Sequence, residues 1–282
     1  AFEYVGASGS GTITGSAGDD VLVGDTGEST NITGGLGDDT ITGGSAAETI
    51  TGGAGADIIN GGGGADTITG NDGNDSITLG GGTESVDAGA GDDTVIAAGN
   101  LTFGTTIVGG AGTDILSTNT AVTAPNGGVV SGFETLTLAT AGTTDLDNFG
   151  NNTFTTVNLT AGGTAQAVQS VRSETITVTA ALGADATVTL EDATGSTDTA
   201  TIAISSAAAV DTTNDILVAG VETINLVMDD TNTTAHQNTL DLGADSATTI
   251  NISGDAGVVF ATGGNTDIAD VLTMDASGVV LG

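Results

Sequence analysis

The stretch that decides the fold is residues 34–96, which keeps a nine-residue frame through seven consecutive copies. The copies read GGLGDDTIT (34–42), GGSAAETIT (43–51), GGAGADIIN (52–60), GGGGADTIT (61–69), GNDGNDSIT (70–78), LGGGTESVD (79–87) and AGAGDDTVI (88–96). Further copies are GASGSGTIT (6–14), GSAGDDVLV (15–23) and GGAGTDILS (109–117). A unit this short cannot bury its apolar face alone, so the fixed period predicts a solenoid of stacked repeats.

Each copy divides into a glycine-rich turn and a very short strand. Glycine permits positive φ and a close approach of the backbone to an ion, so that carbonyl oxygens can face a cation. The acid at the sixth position adds carboxylate oxygens, and Ca²⁺ prefers about 6 to 8 such hard oxygen ligands. The aliphatic residue at the eighth position is predicted to point into a thin core, and these residues are Leu22, Ile41, Ile50, Ile59, Ile68, Ile77, Val86, Val95 and Leu116.

The pattern G-G-x-G-x-D-x-U-x, with U a large aliphatic residue, resembles the calcium-binding nonapeptide of RTX proteins. The resemblance implies an all-β protein, a right-handed parallel β-roll or β-solenoid with calcium-filled Gly-Asp turns. Two nonapeptides would make one coil, and successive coils would stack about 4.8 Å apart. Each Ca²⁺ would then lie between the turns of repeats n and n+2, shared by two acidic side chains.

In that arrangement alternate repeats fall on opposite edges, which sorts the candidate metal ligands into two groups. One edge carries position-five polar residues (Asp19, Asp38, Asn74 and Asp92) and the six metal candidates Asp20, Asp39, Asp57, Asp75, Asp93 and Asp114. The other edge reads Gly11, a disrupted repeat around Glu28, the candidates Glu48, Asp66 and Glu84, and a degenerate stretch at 97–108. We expect a continuous file of tight calcium sites on the first edge and a partial or weak one on the second.

The charge balance also favours a metal-dependent fold. There are 36 acidic residues against one basic residue, Arg172, which gives a formal net charge of −35. Such a charge opposes compaction unless counterions are bound, so folding is expected to depend on calcium. With no basic patch to neutralise phosphate, nucleic acid is excluded as a partner. The chain has no cysteine, no apolar run long enough to span a membrane and no signal peptide at its start.

After Ser117 the composition changes. Residues 118–132 form a turn-rich connection that contains the only proline, Pro125, and residues 133–282 are rich in threonine alternating with aliphatic residues. Alternation of this kind is a strand signal. We therefore predict a nonapeptide β-roll at 1–117, the connection at 118–132, and a threonine-rich β-solenoid at 133–282. The weaker repeats GFETLTL (132–138), RSETITV (172–178) and GVETINL (220–226) put Glu134, Glu174 and Glu222 in the place of the sixth-position acid, either as metal ligands or as hydrogen-bond acceptors for neighbouring backbone.

An enzymatic role is not predicted. The only histidine, His236, lies in the polar stretch DDTNTTAHQN, and neither H-E-x-x-H nor the phosphate-binding G-x-x-x-x-G-K-[ST] occurs. Arg172 is expected to pair with Glu174 or another acid rather than with a substrate.

The whole chain resembles RTX-type bacterial surface-layer proteins of the Caulobacter kind. The resemblance rests on the nonapeptides, on the threonine-, alanine-, glycine- and aspartate-rich strand repeats, and on the near absence of Lys, Arg and Cys. It implies a structural protein exported by type I secretion to the cell surface, where identical subunits form a two-dimensional lattice on lipopolysaccharide without membrane insertion. Calcium would drive folding and lattice contacts, and the sequence is expected to be a fragment whose secretion signal and anchoring region lie outside it.

Three alternatives remain open at this point. The first is a calcium-rigidified adhesin stalk, and the second is an RTX carrier region of a secreted enzyme that lies outside this fragment. The third is an ice-binding solenoid, suggested by Thr-x-Thr pairs such as Thr135 with Thr137 and Thr187 with Thr189, although threonine also follows ordinary β propensity.

Overall fold

The structure is a computed structural model, and it describes most of the first half of the chain and the strands of the second half. Arg172 and His236, and the predicted roles for them, lie outside the described residues. The described residues are 3–5, 11–97, 101, 104–120, 122, 129–139, 142–149, 152–160, 166–171, 174–179, 186–190, 198–206, 211–230, 237–244, 246–254, 257–260 and 273–279.

Apart from one 3-10 helix, the regular elements of the described residues are all β-strands. In chain order the first strands are β1 (Glu3–Val5), β2 (Thr12–Thr14), β3 (Val21–Val23), β4 (Asn31–Leu36), β5 (Thr40–Thr42), β6 (Thr49–Ala54), β7 (Ile58–Asn60), β8 (Thr67–Asp72), β9 (Ser76–Leu79), β10 (Ser85–Ala90), β11 (Thr94–Ala97), β12 (Thr106–Ala111), β13 (Ile115–Thr118) and β14 (Val129–Ser131). They are followed by β15 (Thr135–Leu138), β16 (Gly142–Asp145), a 3-10 helix (Leu146–Phe149), β17 (Thr156–Leu159), β18 (Gln166–Val171), β19 (Thr175–Val178), β20 (Ala186–Leu190), β21 (Thr199–Ser206), β22 (Asp211–Ala219), β23 (Thr223–Asp230), β24 (Gln237–Gly243), β25 (Thr249–Gly254), β26 (Gly257–Phe260) and β27 (Thr273–Val279).

The chain divides into two compact units. The first consists of Ala1–Leu136 with Asp147–Phe154, and the second of Thr137–Leu146 with Thr155–Gly282. The three-part division of the sequence at residues 117 and 132 follows composition rather than contacts, and it stays a prediction.

In the first unit, alternate strands form two parallel sheets. The odd-numbered strands β1 to β13 pair in sequence order, and the even-numbered strands β2 to β14 form the other sheet. The register advances by one coil at each step, so that Ile41 pairs with Ile59 and Ile59 with Ile77. The predicted all-β parallel solenoid, with alternate repeats on opposite edges, is confirmed.

The core of this unit is built mainly from the aliphatic residue at the eighth position of each repeat, joined by a second apolar residue in β9, β10 and β11. Leu22, Ile41, Ile59 and Ile77 from the odd-numbered strands are at most 1% exposed, as are Ile32, Ile50 and Ile68 from the even-numbered strands. Complete burial of such a side chain contributes roughly 1.5–3 kcal/mol. The eighth position of each repeat therefore points into the thin core, as the sequence predicts.

The turns between the strands need glycine because the backbones of successive coils nearly touch. A Cβ on Gly53 would lie 2.0 Å from the carbonyl oxygen of Gly35, and the φ of Gly53 is +134°. At the equivalent position of the next coil Asn71 takes glycine's place with a φ of 80°, and asparagine is among the residues that tolerate this region best. The second position of the repeat is thus fixed by backbone conformation.

Substitution of this position has an expected cost. Gly53→Ala should lower the free energy of unfolding of the calcium-loaded chain by at least about 2 kcal/mol, because it adds both a left-handed φ and a clash with the Gly35 carbonyl. Gly63→Ala is the matched control, since the nearest atom to its Cβ would be 3.7 Å away. Urea unfolding in saturating calcium measures both, and equal losses of stability in the two variants would contradict this explanation of the turn.

The second unit is also built of parallel β-strands, several of which are longer than those of the first unit. Its odd-numbered strands, from β17 to β27, pair in parallel in one sheet. Its even-numbered strands, from β16 to β26, pair in parallel in another. Most of its described strands bury two aliphatic residues, as in β19, where Ile176 and Val178 are both fully buried. The threonine-rich half is therefore a β-solenoid without nonapeptide turns. Within the described residues, no helix has the length and apolar character needed to cross a membrane.

Candidate metal centre

All nine predicted metal residues are buried in the turns that lead into the strands. Each lies directly before the first residue of a strand, or within the turn leading into it, and none is more than 3% exposed. They form two groups, which we call the long acidic row (Asp20, Asp39, Asp57, Asp75, Asp93 and Asp114) and the short acidic row (Glu48, Asp66 and Glu84).

The long acidic row is linked by a regular set of hydrogen bonds along the coils. The backbone N–H of Asp39 donates to Oδ1 of Asp57 at 2.8 Å, and the N–H of Asp57 donates to Oδ1 of Asp75 at 2.8 Å. The same bond joins Asp20 to Asp39, Asp75 to Asp93 and Asp93 to Asp114, at 2.7 to 2.8 Å. One oxygen of each carboxylate from Asp39 to Asp114 is therefore used by the backbone of the preceding coil.

The short acidic row shows the same arrangement over fewer coils. The N–H of Glu48 donates to Oδ1 of Asp66 at 2.9 Å, and the N–H of Asp66 donates to Oε2 of Glu84 at 2.8 Å. Thr30 precedes β4 as Glu48 precedes β6, and its carbonyl accepts from Thr49 at 3.2 Å. In the disrupted repeat around Glu28, Thr30 therefore takes the place before the strand that an acid holds in the other repeats.

The second oxygen of most of these carboxylates is buried without a hydrogen-bond partner. Neither oxygen of Glu48 meets hydrogen-bond geometry, and the other orphaned atoms are Oδ2 of Asp39, Asp57, Asp66, Asp75, Asp93 and Asp114 and Oε1 of Glu84. Asp20 differs, because its Oδ2 accepts from the N–H of Ser16 at 2.5 Å and from the Ser16 hydroxyl at 2.9 Å. A buried polar atom without a hydrogen-bond partner destabilises the folded state. A cation bound to these oxygens would remove that cost.

In most of these turns the first residue of the repeat is a glycine that leaves space beside the orphaned oxygen, whereas Ala88 and Leu79 hold that position in the repeats of Asp93 and Glu84. A Cβ on Gly52 would lie 2.3 Å from Oδ2 of Asp57 and 3.0 Å from the carbonyl oxygen of Gly70. Gly70 repeats this one coil later, with its Cβ position 2.2 Å from both Oδ2 of Asp75 and the carbonyl oxygen of Ala88. A carboxylate oxygen and a carbonyl oxygen thus approach the same small space, which is the donor set that Ca²⁺ prefers.

Carboxylates alone do not make these sites. No group of three or more His, Cys, Asp or Glu side chains in the described part of the chain is placed to hold a metal ion together. Main-chain carbonyls would have to complete any site, as the glycine turns allow. The assignment of the nine residues as metal ligands fits this geometry and stays a prediction.

The fifth-position residues of the long-row turns have a different role from the buried acids. They are exposed, and their side chains accept hydrogen bonds from the backbone of a neighbouring coil. Oδ1 of Asp38 accepts from Ala56 at 2.8 Å, and Oδ1 of Asn74 accepts from Asp92 at 2.9 Å. They reinforce the stacking of the turns outside the buried row.

Burial dominates the electrostatics of both rows. Desolvation raises the pKa of Asp75 to about 7 against the lowering effect of the Asp57 N–H, and the charges of Asp57 and Asp93 raise it further. Desolvation likewise raises the pKa of Asp57 to about 6 and that of Glu48 to about 7. Without a cation, the folded state therefore prefers these groups protonated.

The raised pKa values predict how the metal-free chain responds to pH. A carboxyl group whose pKa is higher in the folded state stabilises the fold below its unfolded pKa, and this stabilisation is lost as the pH rises through the folded pKa. In EGTA we therefore expect β-sheet content to be highest near about pH 4 and to fall between about pH 6 and 7, where Asp57, Asp75 and Glu48 ionise. Far-UV circular dichroism against pH measures this, and constant ellipticity or the opposite slope would contradict it.

In the second half the three predicted glutamates have unequal surroundings. Glu134 accepts the Asp114 N–H at 2.8 Å, and Glu174 is 3% exposed. Glu222 accepts the N–H of Asp198 at 3.0 Å. Asp198 was not singled out from the sequence, because no repeat frame marks its position.

Comparison with known families supports the metal-binding character of the first half. Residues 5–28, 26–59 and 60–95 match the RTX calcium-binding nonapeptide repeat (4 copies). No curated protein shows a significant match to the chain. The matched region contains both acidic rows except Asp114, and the threonine-rich half lies outside it. Residues 5–95 are thus an RTX-type repeat region, a calcium-binding structural element typical of secreted proteins.

Proposed function

We propose that this chain is a structural component of a secreted bacterial surface layer, in which calcium drives folding and identical subunits assemble into a two-dimensional lattice. Lipopolysaccharide at the cell surface is the proposed support. The RTX-type repeats support secretion and calcium binding. The distribution of acidic side chains over the surface bears on lattice formation.

The observation that carries the proposal is the separation of charge between turns and sheet faces. In the odd-numbered strands from β3 to β13, no outward-facing side chain is acidic, although the chain has 36 acidic residues. These side chains are Val21, Val23, Thr40, Thr42, Ile58, Asn60, Ser76, Thr78, Thr94, Ile96, Ile115 and Ser117. Two polyanionic copies repel each other unless they meet where charge is absent or neutralised, and this face offers such a contact.

Part of the same face is also apolar. Val21 is 45% exposed and Ile58 is 58% exposed, on strands of the same sheet. Exposed β-branched residues on an uncharged face of a parallel sheet suit side-by-side packing of two copies. Calcium in the turns would lower the net charge at the edges of the contact and so favour assembly.

Electron microscopy of the purified chain tests the proposal. In calcium we expect extended sheets, and in EGTA or in magnesium at equal ionic strength we expect none. Isolated rods in calcium would favour the adhesin stalk instead, and soluble folded monomers would favour a carrier region for an enzyme elsewhere in the protein.

A pair of variants separates the face from the turns. Ile58→Asp places one acid on the uncharged face, and we expect it to abolish sheets while circular dichroism in calcium stays unchanged. Ala65→Asp adds the same charge at an exposed turn position and should leave the sheets intact. Sheets formed equally by both variants would exclude this face as the lattice contact.

A further inference from the structure

One link beyond the matched nonapeptides continues the long acidic row. The N–H of Asp114 donates to Oε2 of Glu134 at 2.8 Å, as the N–H of Asp93 donates to Oδ1 of Asp114 at 2.8 Å. Glu134 lies 20 residues after Asp114, in a segment that does not follow the nonapeptide pattern. The hydrogen-bonded row therefore extends past the last repeat.

Asp114 itself has an oxygen that needs a partner. Its side chain is 0% exposed, and its Oδ2 is buried with no hydrogen-bond partner. Oδ1 is already used by the N–H of Asp93. Only one of the two oxygens of this carboxylate therefore has a hydrogen-bond partner in the protein.

The space next to this oxygen also receives a carbonyl from the following coil. A Cβ on Gly109 would lie 2.1 Å from the carbonyl oxygen of Gly132 and 2.8 Å from Oδ2 of Asp114. Within the matched repeats the same arrangement surrounds Gly34, with Oδ2 of Asp39 at 2.2 Å and the carbonyl oxygen of Gly52 at 2.6 Å. In both turns a carboxylate oxygen and a carbonyl oxygen approach the same position beside the first glycine of the repeat.

The segment that supplies Gly132 and Glu134 is held firmly in place. Phe133, between them, is 2% exposed, and its N–H and carbonyl both bond to the Asn152 side chain, at 3.0 and 2.9 Å. Phe149 and Phe154, on either side of Asn152, are buried with ring centroids 5.2 Å apart in an edge-to-face contact. In the folded unit this packing holds both flanking residues in place next to Asp114, which favours a defined ligand geometry.

We propose that Asp114, Glu134 and the carbonyl oxygen of Gly132 form a Ca²⁺ site that closes the long acidic row at its C-terminal end. The site lies outside residues 5–95 and uses a glutamate that no nonapeptide supplies. It rests on calcium binding by the acidic rows, which is part of the proposed function, and not on lattice assembly.

Counting bound ions tests the site. Native mass spectrometry and calorimetric titration of the whole chain with CaCl₂ should show one ion fewer for Glu134→Gln than for the parent chain. Glutamine keeps an acceptor for the Asp114 N–H and removes only the charge. Asp147→Asn is the matched control, because it removes one exposed charge from the neighbouring 3-10 helix and should keep the parent's ion count.

A second variant covers the case in which Glu134→Gln does not fold. Glu134→Asp keeps the charge on a shorter side chain, so the ion count should be retained while one ion binds about tenfold more weakly. The proposal is overturned if Glu134→Gln keeps every ion, if Asp147→Asn loses one as well, or if Glu134→Asp leaves all affinities unchanged. A parent chain that binds calcium without forming sheets would refute the surface layer and leave this site standing, whereas a parent that binds no calcium would refute both.

Discussion

Removal of calcium with EGTA at neutral pH is expected to abolish most of the β-sheet signal of the first unit. Seven buried carboxylates there, Asp39, Asp57, Asp66, Asp75, Glu84, Asp93 and Asp114, have one oxygen without a hydrogen-bond partner, and an eighth, Glu48, has neither satisfied. An uncompensated buried charge costs several kcal/mol, whereas the net stability of a domain is about 5–15 kcal/mol. The free-energy cost of a few such charges therefore exceeds the stabilisation that the narrow aliphatic core can provide.

The measurement is far-UV circular dichroism with thermal unfolding, before and after chelation and after calcium is restored. Magnesium at the same ionic strength is the control, because general screening would act equally with either ion, whereas these turns offer carboxylate and carbonyl oxygens suited to Ca²⁺. We expect calcium to restore the signal fully and magnesium to restore it poorly. A chelated chain with the same spectrum and the same melting temperature as the loaded one would refute the metal-dependent fold.

The nine-residue frame was sufficient to predict the architecture of the first unit. Because one residue in each repeat is large and aliphatic, the burial of Ile41, Ile59 and Ile77 followed from spacing alone. The placement of alternate repeats in different sheets was expected from the resemblance to the RTX β-roll, in which two repeats make one coil. The frame also identified the nine acids at the sixth position, whereas their burial is a finding of the structure.

Other features of the site depend on contacts between coils, which spacing does not encode. The bond from each backbone N–H to the carboxylate of the next coil was not foreseen, although it decides which oxygen remains for a cation. Thr30 could not be recognised as the member of the second edge, because the insertion before it hides its register. The pairing of Asn152 with Phe133 joins residues 19 apart that share no motif.

Replacement of Asp75 by asparagine is expected to have opposite effects on the loaded and the metal-free chain. Asp75 lies in the middle of the long acidic row, where its Oδ1 accepts from Asp57 at 2.8 Å and its Oδ2 is orphaned beside Gly70. Asparagine keeps the shape and the acceptor but removes the charge. If each charged contact to a cation is worth about 1.5–3 kcal/mol, the calcium concentration at the folding midpoint should rise roughly 10- to 100-fold.

In EGTA the same substitution is expected to stabilise the fold. Asp75→Asn removes the buried charge, and with it the desolvation and the repulsion from Asp57 and Asp93 that raise the pKa of this carboxyl group. The metal-free variant should therefore keep more β structure at neutral pH than the metal-free parent. Asp72→Asn makes the same chemical change at an exposed position of the same repeat and should shift neither measurement appreciably. Calcium titrations followed by circular dichroism measure both effects. If Asp75 is a metal ligand, removal of its charge destabilises the calcium-loaded state. A variant that is more stable than the parent both with and without calcium would mean that Asp75 is a buried charge that does not bind a cation.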